Sequence, residues 1–250
     1  MRDFFINLFS SDNGKAEIAF LSLWHIVYAI LIVGLTALVA YLINNKPKEV
    51  KEKVLKIYAI AALCVYIADF FIMPLYMDVI DIDKLPFHIC TLLCPFIILT
   101  TFSNKFNVIK TPVAVLSLVA AMMYITYPGS AIGGVKAFSY RVIQTFVYHG
   151  LVFGFGFLSI STKTVLLEFR KIYKEVIFLV CIAVWASFGN AVYSNSEHTF
   201  DWFFINGPTF SFVPKLLLPF AVIGCIYALV IIIYLLQKLF EKKIFKNLKK

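Results

Sequence analysis

The segment AFLSLWHIVYAILIVGLTALVAYLI, residues 19–43, carries no Asp, Glu, Lys or Arg from end to end. At ~1.5 Å per residue a helix of that length spans the ~30 Å hydrocarbon core of a bilayer, so the segment reads as a membrane crossing. The rest of the chain repeats the pattern. Apolar stretches follow at approximately 57–77, 86–103, 110–127, 139–161, 174–195 and 213–238, giving seven candidate spans. The third, beginning PFHICTLLCPF, is short and carries Pro95 in its middle. Composition agrees with the pattern. Of 250 residues, 61% are hydrophobic and 15% charged, with a mean hydropathy of +0.88. Soluble domains hold ~45–50% apolar and ~25% charged residues. The fold expected is therefore all-α, a polytopic membrane helical bundle in which residues 1–250 form one transmembrane domain. An ordinary cytosolic enzyme, a secreted disulfide scaffold and a disordered tail are all excluded. Met1–Glu17 is a mixed-charge segment, and the apolar run after it is too long for the core of a cleavable signal peptide.

A formal charge of +9 would suggest nucleic acid in a soluble protein, but here its distribution marks topology. Alternate connections hold Lys46 to Lys56, then Lys105 and Lys110, then Lys163 to Lys174, and finally the tail from Lys238 to Lys250. Together they carry 17 of the 23 basic residues. The positive-inside rule then places the C-terminus in the cytoplasm and, with seven spans, the N-terminus outside. The tail at 239–250, ending EKKIFKNLKK, reads as an anchor on anionic lipid at the inner surface. A bacterial plasma membrane is the expected location. Membrane lipids are the expected partners; no nucleic-acid partner and no cofactor is indicated.

All five cysteines, Cys64, Cys90, Cys94, Cys181 and Cys225, fall inside expected spans, so no disulfide framework is implied. Cys90 and Cys94 share a helix face without a second pair of ligands, which suits packing better than metal binding.

Polar groups at membrane depth cost roughly 2.5–3.5 kcal/mol each on insertion scales and usually face a protein interior. Counted from the outer ends of their spans, His25, Asp69, His88, His149 and Asn190 lie roughly 9, 12, 3, 15 and 8 Å deep. Five helices thus bring a polar group into the outer half of the bilayer, and the cytoplasmic half is almost free of them. A pocket opening outward is expected. An imidazole beside a carboxylate in a low-dielectric site is the minimum for general acid–base chemistry. His149, His88 and Asp69 are therefore the candidate catalytic residues, with Asp69 as the orienter of His149. His25, Asn190, Cys90, Thr145 and Gly150 complete the candidate pocket, and Cys90, Thr91 and Thr145 are the candidate nucleophiles. Each also has a packing interpretation: His25 beside Trp24 suits interfacial anchoring, and Asn190 suits an interhelical hydrogen bond. Arg141, near the outer start of the fifth span, suits snorkelling to lipid phosphates. GFGFL at 154–158 lies within a span and reads as helix packing, not a phosphate cradle. The aromatic loop from Ser194 to Pro214, with Glu197, His198 and Asp201, reads as an interfacial re-entry around Trp202 or as a lid over the pocket.

These residues also carry a resemblance. LPFHIC at 85–90 resembles the LPLHLC segment of the YwaF-like bacterial integral membrane proteins, a group that is similar to a eukaryotic multipass branch linked to ether-phospholipid acyl transfer. His25 early in the first span, Asp69 in the second, His149–Gly150 in the fifth and Asn190 in the sixth fall in the same order. The resemblance covers about 20–238. In the eukaryotic branch a cysteine just before the span-three histidine and a later histidine are the proposed acyl-transfer residues. The matching positions here are Phe87 and His149, and Phe87 offers no nucleophile. Three functions fit: a membrane-embedded acyltransferase or hydrolase acting on lipid, a small-molecule or lipid transporter or binding protein, and a non-catalytic accessory subunit. A transporter would be expected to show an inverted repeat or a polar path through the inner half, and neither is visible.

Overall fold

A computed structural model describes residues 18–72, 74, 82–128, 136–195, 199–204 and 213–247. Among these, seven α-helices carry the fold: α1 Leu23–Asn44, α2 Lys48–Ile72, α3 Ile89–Phe102, α4 Lys110–Thr126, α5 Tyr140–Ser161, α6 Tyr173–Tyr193 and α7 Leu218–Asn247. The described residues contain no strand. Six of the helices are long and apolar enough to cross a membrane. The exception is α3, whose 14 residues cover only about 21 Å, short of the ~30 Å core. The expected third span at 86–103 is thus a half-length helix, entered through Pro86 and interrupted by Pro95. The second helix departs in the other direction. It begins at Lys48, nine residues before the expected 57, so Lys51, Lys53 and Lys56 sit on its first turns instead of in a loop. Lysine is a good helix former, and its long stem carries the ammonium out to the headgroups.

Local capping explains several helix starts. The Ser22 hydroxyl accepts from the His25 amide at the head of α1, and the Ser139 hydroxyl accepts from the Val142 amide at the head of α5. Packing then organises the bundle around α4 and α5, which contact each other more extensively than any other pair. On one side α5 gathers α1 and α2. On the other, α4 gathers α3, α6 and α7. The outermost helix, α1, leaves Leu23, Ile30, Leu31, Leu35 and Leu38 exposed, a surface suited to lipid and not to water.

Close approach of the two central helices depends on Gly156, within the GFGFL segment. A Cβ there would stand 2.6 Å from both the Ala114 carbonyl oxygen and the Leu118 amide nitrogen, which are backbone atoms that cannot swing aside. Small residues at a membrane helix interface permit backbone contact of this kind. Gly156→Val therefore has no relaxed solution short of moving α4. It is expected to lower the melting temperature in detergent micelles, consistent with an overpacking cost of ~1–3 kcal/mol or more, whereas Leu166→Val on an exposed segment leaves it unchanged. An unshifted melting curve for Gly156→Val would refute the packing.

Candidate functional site

The second helix presents Tyr66 and Asp69 on one face, three residues apart. Asp69 is only 2% exposed, and the Lys84 ammonium lies 2.8 Å from its Oδ2. The approach is that of an ion pair lying off the hydrogen-bonding direction, so Oδ2 receives no hydrogen bond. Lys84 ends the short 3-10 turn Ile82–Lys84, and Tyr66 fixes that turn by donating its hydroxyl to the Lys84 carbonyl at 2.8 Å. Asp69 thus neutralises a lysine. No hydrogen bond links it to His149, so the expected pairing of the two is not formed.

His149 is held by other means. Its Nδ1 lies 2.8 Å from the Thr145 carbonyl oxygen one turn earlier on α5. A carbonyl can only accept, so Nδ1 carries the ring proton and Nε2 presents a lone pair. The ring stacks on Tyr124 of α4 with centroids 3.6 Å apart and planes 10° from parallel. Tyr148 meets it edge-on at 5.4 Å. Orientation and tautomer are therefore both fixed without a carboxylate. The Asp69–Lys84 pair, His88 at the head of α3 and His149 of α5 make up the candidate polar centre. Tyr148 ties α5 to α3 by donating its hydroxyl to the Cys90 carbonyl at 2.7 Å.

The other candidates divide clearly. Thr145 acts through its carbonyl, and its hydroxyl donates to Gln144 Oε1 at 3.2 Å. The Thr91 hydroxyl faces two carbonyls, Leu85 at 3.2 Å and His88 at 3.0 Å. Cys90 is half-buried, and Cys94 is fully buried in the core. Gly150 receives Ile32 of α1, which would lie 3.1 Å from a Cβ at that position. Phe87 is enclosed by Trp185, Trp202 and Tyr193 at ring separations of 5.2, 4.7 and 5.6 Å. Gly189 makes room for it, since a Cβ there would meet the Phe87 ring at 2.4 Å. That position is an aromatic anchor.

His25 and Asn190 serve elsewhere. His25 Nδ1 accepts from the Leu21 amide at 3.0 Å, and Nε2 donates to the Ile125 carbonyl at 2.8 Å. With both nitrogens engaged, His25 latches the head of α1 to the end of α4. Asn190 grips the Trp202 backbone from both sides, accepting from its amide at 2.8 Å and donating to its carbonyl at 3.1 Å. Trp202 is fully buried within the protein, which corrects its assignment to the membrane interface. After it, Phe203 and Phe204 adopt positive φ of 71° and 56°, a conformation uncommon for bulky side chains, and the Phe204 ring reaches 5.9 Å from His88. Glu197, His198 and residues 205–212 of this loop lie outside the described residues. Glu175, 1% exposed at the start of α6, accepts the Tyr234 hydroxyl of α7 at 2.8 Å.

The sequence reading missed Tyr66, Lys84, Tyr124 and Tyr148. Lys84 was discounted as an outer-loop charge, and a tyrosine in an apolar run carries no depth signal. The ion pair gives a test. Lys84→Met strands a buried carboxylate and is expected to destabilise the protein by about 3–5 kcal/mol, and Asp69→Asn added to it restores much of the loss. Measured by thermal unfolding in micelles, no recovery in the double variant would contradict the pairing.

No curated protein and no solved structure matches the chain. The family model of the TMEM164 family matches residues 20–237, which takes in all of the site just described. The chain therefore belongs to the TMEM164 family of multipass membrane proteins.

Proposed function

We propose that this protein is a membrane-embedded enzyme that transfers or hydrolyses an acyl ester of a membrane lipid, with His149 as the general base. The carrying observation is the 2.8 Å contact between His149 Nδ1 and the Thr145 carbonyl, which leaves Nε2 with its lone pair. In the proposed step Nε2 takes the proton of a hydroxyl, from water or from a lipid alcohol, as that oxygen bonds to the ester carbonyl carbon. The tetrahedral oxyanion collapses, the bond to the original alcohol oxygen breaks, and the imidazolium returns its proton to that oxygen. Lys84, its charge balanced by Asp69, and His88 are the proposed hydrogen-bond donors to the oxyanion, an effect that is large in a water-poor site. Because Phe87 has no thiol, the transfer proceeds directly, without a thioester at that position. Asp69 acts through Lys84 and is a positioning residue.

The proposed topology keeps seven crossings, with α3 completed by its flanking turns, the polar centre toward the outer face and the C-terminus inside. The 17 to 6 division of basic residues supports it.

The test is turnover of phospholipid labelled in its acyl chain by purified protein in proteoliposomes. His149→Gln is expected to lower the rate by about 10²–10⁴ with unchanged yield and monodispersity, the usual contribution of a general base. Wild-type turnover that survives the substitution would overturn the assignment.

A further inference from the structure

Beside the polar centre lies a feature that the proposed chemistry does not by itself require. A groove of about 360 Å³ runs between α1 and the α4–α5 pair, lined by Ile26, Ala29 and Val33 from α1, Met122 and Ile125 from α4, and Phe153 from α5. The volume falls at the lower end of the ~300–1,000 Å³ usual for small-molecule sites. Its outer lip is lipid-facing, with Ile26, Ile30 and Val33 at 41%, 65% and 49% exposure. From His25 to Val33 the groove runs about 12 Å along α1, most of the hydrocarbon depth of one leaflet. His25 stands in its wall, but both ring nitrogens are already engaged, one by the Leu21 amide and one by the Ile125 carbonyl. The walls thus offer a polar ligand little to bind, and the matching occupant is a hydrocarbon chain.

Position supplies the second half of the inference. Phe153 follows His149 by one helical turn and shares its face of α5. The groove therefore begins one helical turn from the proposed base. We infer that this groove holds the acyl chain of the lipid ester, and that Ala29 and Val33 set how much of the chain it accepts. The identity of the chain as substrate rests on the acyl-ester function proposed above; the existence of the chain site does not.

The experiment uses the full chain in phosphatidylcholine vesicles doped with a phosphatidylcholine that bears a diazirine halfway along one acyl chain. After illumination, labelled peptides are located by mass spectrometry. Labelling is expected to concentrate on 26–33 and 122–125, and Ala29→Trp or the more lipid-exposed Val33→Trp lowers it there about tenfold, equivalent to excluding two methylenes. Val184→Trp, of equal bulk on the exposed face of α6, leaves it unchanged. Even labelling over the whole apolar surface, or indifference to both groove tryptophans in folded protein, would overturn the inference. His149→Gln separates the two claims, since it is expected to abolish turnover while the labelling pattern persists. If wild-type protein turns over no acyl ester yet labels in the groove and responds to tryptophan, the enzymatic function fails and the chain site stands.

Discussion

A backbone carbonyl in hydrocarbon has no water to bond to, and much of this structure follows from how its exposed carbonyls find donors. Connections and one helix end of the bundle are held by aromatic side chains that reach across from neighbouring helices. Tyr66 donates to Lys84, Trp185 to Pro86, Tyr28 to Ala137 and His25 to Ile125, each at 2.8 Å. Every one of these bonds crosses between elements, so each satisfies a carbonyl and fixes a connection at once. Asn190 performs the same task for Trp202 with two bonds.

His149 obeys the same constraint with a different outcome. Its carbonyl partner, Thr145, belongs to its own helix, so the bond ties no second element and only one nitrogen is consumed. His25 spends both nitrogens on the backbone, and His149 keeps one. That difference, invisible in the residue names, separates the latch from the histidine proposed as the base. The stacked Tyr124 and the edge-on Tyr148 then hold the ring from two directions. Asp69, which would have been the conventional orienter, is released to balance Lys84.

Much of the architecture was legible in the sequence because lipid imposes one clear signal, an uninterrupted apolar run. That signal located α4, α5 and α6 to within two residues, and it overestimated α3, where proline sits inside the run. It placed α2 too late because the lysines at its head were taken as loop residues. Depth counting put five polar groups in one half of the bundle, yet Asp69 pairs with Lys84 and His149 bonds within its own helix. Depth carries no information on rotation, however, and rotation decided that His25 and Asn190 turn toward backbone at the rim. Glu175 was overlooked for a related reason. Its place at the start of a span gives no sign that the helix turns it inward onto Tyr234.

The central claim is the tautomer of His149, and nitrogen-15 solid-state NMR of histidine-labelled protein in bilayers reads it directly, with His149→Gln assigning the signal. The account predicts a neutral ring protonated at Nδ1, with a bare, pyridine-type Nε2. A His149 signal protonated at Nε2 instead would remove the base from the site and contradict the account.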